Sequence, residues 1–150
     1  MHTNPFDVEL IHLARKYAEP VSRIALFVVF FWFGILKVLG FSPASGLVAE
    51  LLTHTIPFMA PATFIVLFGL FECILGVLFL IKGVERVLIP LLFLHMVTTF
   101  MPLVFLPAVT WTAPMIPTLE GQYIIKNFVI IAAAIGIAAH LHPLRIRDSH

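Results

Sequence analysis

Two ionisable residues lie inside long apolar runs of this sequence. Their residue types and positions make them the best candidates for a chemical role. Glu72 lies about 11 residues into the apolar run 61–81, or roughly 16 Å from its start at the rise of an α-helix. His95 lies at a similar depth in the run 87–106, counted from its end. A carboxylate and an imidazole in an apolar setting can exchange a proton or bind the polar end of a quinone. We therefore predict that Glu72 and His95 are catalytic residues.

Further polar residues lie in the same half of the apolar runs. Lys37, in the run 21–41, and Lys126, in the run 123–141, each lie roughly 5–8 Å from the nearer end of their run. These depths predict one polar pocket that opens on the side of the two longer connections, with Glu120 and Gln122 at its mouth. The predicted binding residues of this pocket are Lys37, Trp32, Thr98, Lys126 and Asn127.

Each of these residues also has a purely structural interpretation. The long stems of Lys37 and Lys126 can extend to lipid headgroups at a helix end. His95 can be a neutral core imidazole that bonds to a threonine or to Glu72. Glu72 can form a buried pair with Lys37 or His95 that only fixes the register of the helices. Cys73 is expected to be a small buried hydrophobic residue.

Other chemistries lack the residues that they need. A bis-histidine haem requires two deep histidines on different helices, but only His95 is deep. The other histidines considered lie at the edges of the runs or in a connection: His12, His54, His140 and His142. One histidine and one carboxylate are too few for a transition-metal site, and the sequence has no phosphate-binding loop or serine triad. A quinone is therefore the cofactor that we consider, and no metal is predicted.

The composition indicates the elements that must position these residues. The chain has 150 residues, of which 61% are hydrophobic and only 11% charged, whereas an ordinary soluble domain is about 25% charged. The four apolar runs 21–41, 61–81, 87–106 and 123–141 match the roughly 20 residues with which a helix crosses a bilayer. We predict an all-α bundle of four transmembrane helices, forming one membrane domain over 1–150. The net charge of +1 argues against nucleic acid as a partner.

The basic residues predict how the bundle is oriented. They lie before the first run, in the short hairpin 82–86 and after the fourth run: Arg15, Lys16, Arg23, Lys82, Arg86, Arg145 and Arg147. The long connections 42–60 and 107–122 contain neither Lys nor Arg. By the positive-inside rule, both termini and the hairpin face the cytoplasm and the long connections face outward. About twenty residues precede the first run, and several are acidic, which argues against a cleaved signal peptide.

Shorter segments are expected at both ends of the bundle. Asn4 as N-cap and Pro5 at the first helical position predict an amphipathic helix over 5–19, lying at the cytoplasmic membrane interface. A short helix that starts at Ser42-Pro43 is expected to lie against the outer mouth. The proline-rich connection 107–122 is expected to be irregular.

Small residues predict where helices pack closely. Gly69 lies three residues before Glu72 and Gly76 four residues after it, so both lie on the face of the glutamate. A neighbouring helix can approach that face, and Glu72 is therefore expected to point into the bundle. Ala132 and Gly136 form a small-xxx-small pattern in the fourth run, with the same implication.

Three segments resemble the DoxX-like superfamily of small four-helix bacterial membrane proteins. They are 30–37 (FFWFGILK), 69–76 (GLFECILG) and 121–127 (GQYIIKN), and the chain looks closest to the branch of the reactive-chlorine-resistance inner-membrane protein. The resemblance implies a bacterial inner-membrane location and a role in oxidative, chlorine or thiol stress, or in sulfur-linked quinone reduction. The positions that it carries over are Arg23, Trp32, Gly34, Lys37, Glu72, Gly76, Lys126 and Asn127.

Several functions are compatible with these residues. The resemblance favours an integral inner-membrane accessory in membrane redox or oxidative-stress handling, with a polar pocket around Glu72. A small proton-linked transporter or permease, in which Glu72 and His95 exchange protons, is an alternative and would need to form a homo-oligomer. A quinone-binding or structural subunit of a larger respiratory or redox membrane complex is another.

Overall fold

The computed structural model describes residues 4–139 and 141, and within them the chain is mostly helical. The elements, in chain order, are α1 (Pro5–Val38), α2 (Ser45–Thr55), α3 (Pro61–Leu80), α4 (Glu85–Phe100), α5 (Pro102–Phe105), α6 (Pro107–Thr110), β1 (Trp111–Ala113), β2 (Ile116–Pro117), α7 (Leu119–Ile125) and α8 (Phe128–Ala138). The expectations for the C-terminal residues His140, His142, Arg145 and Arg147 fall outside the described residues.

Four helical segments are long and apolar enough to cross a membrane: Phe6–Val38, Pro61–Leu80, Glu85–Phe105 and Leu119–Ala138. The predicted all-α bundle with four apolar helices is confirmed at this level. The third segment comprises α4 and α5, and the fourth comprises α7 and α8.

The N-terminal segment is not a separate element. α1 begins at Pro5, capped by Asn4, whose side chain accepts a hydrogen bond from the Phe6 backbone N–H at 3.1 Å. The helix then continues through Pro20 to Val38. The predicted boundary between 5–19 and 21–41 is therefore wrong. Proline lacks only its own N–H donor, so it removes one helical hydrogen bond, and the residues on both sides remain helical.

Glycines bring α1 and α3 into backbone contact. A Cβ built on Gly34 of α1 would lie 2.6 Å from the carbonyl oxygen of Gly69 and 2.8 Å from the backbone nitrogen of Cys73. A Cβ on Gly76 would lie 2.9 Å from the backbone nitrogen of Phe31. Position 34 thus pairs with 69 and 73, and position 31 with 76, so the two helices are antiparallel. The predicted close approach at Gly69 and Gly76 is confirmed.

The apolar core lies among α1, α3, α4 and α8. Its buried side chains are Leu26, Phe30, Leu75, Phe79, Leu88, Leu92, Met96, Ala134 and Ile137. The rings of Phe30 and Phe79 stack with centroids 5.8 Å apart. In α8 the buried residues are Ala134 and Ile137, whereas Ala132 and Gly136 are exposed. The small-xxx-small pattern of α8 therefore does not mark its packed face in this chain.

The connections at the end of the bundle near the C-terminus of α1 are more ordered than the sequence indicates. The expected short helix is present as α2, which begins at Ser45 rather than Ser42 and buries Leu52. Residues 107–122 are not simply irregular: α6 leads into the antiparallel hairpin β1–β2, in which Trp111 pairs with Pro117. Met115 at its turn has a φ of 63°.

The last apolar segment starts earlier than predicted. Thr118 caps α7 by accepting a hydrogen bond from the Gly121 backbone N–H at 3.1 Å. Glu120 and Gln122 are therefore exposed residues of a helix rather than of a loop at a pocket mouth. Threonine is a good N-cap, so the helix begins four residues before the apolar run at 123.

Candidate functional site

Three ionisable side chains from three helices meet at one carboxylate. Lys37 Nζ of α1 donates a hydrogen bond to Glu72 Oε2 of α3 at 2.6 Å. His95 Nε2 of α4 lies 3.0 Å from the other carboxylate oxygen, Oε1. Lys37 is 7% exposed, Glu72 5% and His95 4%. We call these three residues the buried triad. A pair of Glu72 with Lys37 or with His95 was expected from the sequence, and the structure shows both contacts.

The helix geometry explains why Lys37 reaches inward. In an α-helix the Cα–Cβ bond tilts toward the helix N-terminus, so a side chain near the C-terminus of α1 leans back along the bundle. Gly69 provides the space, because a Cβ at that position would lie 2.8 Å from the Cβ of Lys37. Lys37 therefore extends toward Glu72, and the alternative in which it extends away from the bundle is wrong.

Aromatic rings and a threonine surround the third member of the triad. The His95 ring stacks on Phe68 with centroids 4.9 Å apart and meets Phe30 edge-on at 5.2 Å. Phe71 lies 6.0 Å away. The other ring nitrogen, Nδ1, lies 3.2 Å from the hydroxyl of Thr99. The imidazole is therefore fixed in orientation by stacking on its face and by polar contacts at both nitrogens.

The polar atoms of the triad are bonded to one another. Lys37 pairs with one oxygen of Glu72 at 2.6 Å, and His95 contacts the other at 3.0 Å. Within residues 4–139, every buried side-chain nitrogen or oxygen has a hydrogen-bond partner. A buried pair that is this well bonded avoids the large penalty of an isolated charge.

The structure does not bring the other predicted site residues into this cluster. Trp32 is 63% exposed, so it does not line an internal pocket. Lys126 is exposed, with Nζ 5.1 Å from the centroid of the Tyr123 ring, and the Asn127 amide donates to backbone carbonyls of its own segment. Thr98 donates to the carbonyl of His95 at 2.7 Å. Lys126 and Asn127 lie in the turn between α7 and α8.

Thr99 is a contact residue that the sequence analysis missed. It lies one turn after His95 on α4, in the i+4 position, and its hydroxyl also lies 2.9 Å from the His95 carbonyl oxygen. The i+4 spacing was an available signal, but Thr98 at i+3 has the same residue type. The orientation of the imidazole distinguishes the two threonines, because it directs Nε2 to Glu72 and Nδ1 to Thr99.

A second buried ionic cluster was also missed. Arg23 of α1 donates to the carboxylates of Glu19, at 2.8 Å, and Glu85, and to the carbonyl oxygen of Phe79 at 3.2 Å. Arg23 is 5% exposed and Glu85 4%. Arg23 was expected only as one of the basic residues that flank the first span. Instead α1 is continuous, and Arg23 is buried in the bundle, where it contacts the end of α3 and the start of α4. This cluster connects three helices at the opposite end of the bundle from α2.

Two cavities of the described structure lie away from the triad. An apolar cavity of about 30 Å³ lies between α4 and α8, lined by residues that include Leu92, Met96 and Ala134. An open depression of about 400 Å³ lies beside Trp111 and Met115. Lys37, Glu72 and His95 line neither of them; the three side chains are buried and hydrogen-bonded to one another.

The described residues do not provide a metal-ligand set, because no three His, Cys, Asp or Glu side chains among them lie close enough to hold an ion. Cys73 is half-buried, and its Sγ lies 3.8 Å from the carbonyl oxygen of Phe31. The chemistry that the triad itself can perform is proton exchange between Glu72 and His95, with Lys37 stabilising the negative charge of the carboxylate.

No family model, curated protein or solved structure matches the chain. The resemblance to the DoxX-like superfamily therefore stays a prediction from the three motifs.

Proposed function

We propose that this chain is an integral protein of a bacterial inner membrane, crossed by its four apolar segments. The many large apolar side chains on the outside of the bundle support this location, because their exposure to water would be unfavourable. The absence of Lys and Arg from the long connections supports an orientation in which those connections face outward and the α3–α4 connection, with Lys82, faces the cytoplasm. Both termini are then cytoplasmic.

We infer that the buried triad is a proton-exchange site that serves membrane redox or oxidative-stress handling. The observation that carries this proposal is the meeting of Lys37, Glu72 and His95, each more than nine-tenths buried, at a single carboxylate. Placing an ionisable group in a membrane interior costs at least about 2.5 kcal/mol on insertion scales. Three such groups on three different helices favour a function over simple packing. The resemblance to the DoxX-like superfamily supplies the redox context.

The geometry suits proton exchange because the carboxylate has one oxygen for each partner. Lys37 bonds to Oε2 and can stay there, while Oε1 faces Nε2 of His95 at 3.0 Å. A proton can therefore pass between Glu72 and His95 without breaking the contact with Lys37.

Quinone binding is the second candidate function, and the rings around His95 favour it. Phe68, Phe30 and Phe71 provide flat apolar walls, and Lys37 and His95 are donors of the kind that bind a quinone carbonyl. The partner in this case would be a respiratory or redox membrane complex. Native mass spectrometry of the protein released gently from its membrane tests this candidate, because a retained mass of a quinone or of another subunit supports it and a bare monomer or homo-oligomer opposes it.

The test of the proton-exchange proposal is Glu72→Gln. The amide keeps the shape of the carboxylate and removes its charge and its ability to carry a proton. In cells that lack the protein, we expect the variant to fail to restore growth under oxidant stress. Glu50→Gln is the matched control, because Glu50 is an exposed residue of α2.

Membrane levels and thermal unfolding of both variants must be measured beside growth. If Glu72→Gln is present at the wild-type level and restores growth fully, the proton-exchange proposal is wrong. If only Glu72→Gln fails while both variants fold, the proposal is supported.

A further inference from the structure

Two acceptors next to His95 compete for the single proton of the Thr99 hydroxyl. The hydroxyl of Thr99 lies 3.2 Å from His95 Nδ1 and 2.9 Å from the His95 carbonyl oxygen, yet it has a single proton to donate. That carbonyl also accepts the hydroxyl of Thr98 at 2.7 Å, so it keeps a donor when Thr99 turns away. The Thr99 hydroxyl can therefore point either way without leaving the carbonyl unsatisfied.

Each orientation of this hydroxyl selects one tautomer of the imidazole. When Thr99 donates to Nδ1, the neutral ring carries its proton on Nε2 and donates it to an ionised Glu72. When Thr99 donates to the carbonyl, its oxygen can accept from Nδ1–H. Nε2 of the neutral ring then accepts, and Glu72 Oε1 must carry a proton to make the 3.0 Å contact. The two arrangements differ by one proton.

We propose that Thr99 is a positioning residue that sets which nitrogen of His95 carries the proton, and so regulates whether Glu72 is protonated. The inference rests on the proposed proton exchange at Glu72. Thr99 lies on the opposite side of the imidazole from Glu72 and one turn closer to the C-terminus of α4. It is half-buried, whereas His95 is 4% exposed, so Thr99 is the member of the network nearer the surface of the bundle.

The two arrangements interconvert by proton transfer alone. Thr99 donates its proton to Nδ1 while Nε2 gives its proton to Glu72 Oε1, and a hydronium ion from the aqueous phase reprotonates the threonine oxygen and leaves as water. The cluster gains one proton, which neutralises Glu72, while His95 ends as the other neutral tautomer. The charged groups that face the ring through this network are Glu72 from α3 and, beyond it, Lys37 from α1.

Nitrogen-15 NMR of the histidine rings tests the inference, using the full chain in lipid nanodiscs. Ring shifts distinguish Nδ1–H from Nε2–H tautomers, and His95→Gln identifies the His95 signals. We compare the wild type with Thr99→Val, which removes the hydroxyl at similar volume, with Thr99→Ser, which restores it, and with Thr98→Val. The spectra are recorded from about pH 5 to pH 8, the range in which imidazoles titrate.

We expect Thr99→Val to shift the Nδ1 signal toward that of a nitrogen without a hydrogen bond and to lower the Nδ1–H population about tenfold. Thr99→Ser should retain the wild-type spectrum, and Thr98→Val should raise the Nδ1–H population, because Thr99 is then the remaining hydroxyl donor to the His95 carbonyl oxygen. An unchanged Nδ1 signal in Thr99→Val overturns the inference. If that variant does not fold, Thr99→Ala is read by the same criterion. The NMR readout needs no growth phenotype. A failure of this inference can therefore be distinguished from a failure of the proposed function, which the growth test of Glu72→Gln detects.

Discussion

Replacing Gly34 by alanine tests whether backbone contact between α1 and α3 maintains the buried triad. The new Cβ would lie 2.6 Å from the Gly69 carbonyl oxygen and 2.8 Å from both the backbone nitrogen and Sγ of Cys73. Two of these three atoms belong to the backbone, so no side-chain rotation relieves them. The helices must separate by about 0.8 Å to reach an ordinary contact of about 3.4 Å.

This separation has a predictable size and a local consequence. Overpacking of a well-packed interface costs about 1–3 kcal/mol, which corresponds to a decrease in melting temperature of roughly 3–10 °C for a chain of this length. Lys37 lies one turn beyond Gly34 on the same face of α1. Its 2.6 Å bond to Glu72 is therefore expected to lengthen or to be replaced.

Two assays measure the effect of the Gly34→Ala substitution. Thermal unfolding in detergent gives the change in stability, and the rate of maleimide labelling of Cys73 reports the opening of the interface. Cys73 is the single cysteine of the sequence, so labelling is specific. Gly46→Ala in α2 is the control, because nothing lies within 4 Å of a Cβ at that position. If Gly34→Ala melts and is labelled like the wild type, the close packing of α1 and α3 does not maintain the buried triad.

Three further substitutions have expected outcomes. Arg23→Met leaves two buried or partly buried carboxylates without their cation and should destabilise the bundle by about 3–5 kcal/mol in thermal or denaturant unfolding, whereas Arg15→Met, at an exposed position, should be neutral. Lys37→Met should likewise destabilise by several kcal/mol, and equal melting of Lys37→Met and Lys126→Met would contradict the difference in burial. Trp32→Ala should change stability by less than about 0.5 kcal/mol and leave growth unchanged; a loss of function would show that this exposed residue contacts a partner.

The residues of the site were predicted with uneven success. Glu72, His95 and Lys37 were selected because ionisable groups are costly in apolar runs, and the structure brings these three together. Lys126 and Asn127 satisfied the same depth criterion but lie in a turn on the outside of α7 and α8. Depth along a helix therefore identified candidates, but it did not say which side of the helix each of them occupies.

The second ionic cluster illustrates a related difficulty. Arg23 was assigned to the edge of the first run because basic residues commonly flank transmembrane segments. The assignment of its partner Glu85 to a hairpin followed from the polar residues around it. Continuity of α1 through Pro20 and the antiparallel packing of α1 on α3 place both side chains in the interior. Neither feature can be read from composition.

The sequence by itself determined the number of apolar helices, their approximate limits and the close approach at Gly69 and Gly76. The reason is that the length of an apolar run and the absence of a side chain are local properties. Only the tertiary structure decided how each helix is rotated about its axis. In these segments the outward side chains are as apolar as the core, so no amphipathic pattern marks the inner face. The rotation that joins Lys37, Glu72, His95 and Thr99 follows instead from backbone contact between α1 and α3 and from the packing of α4 against them.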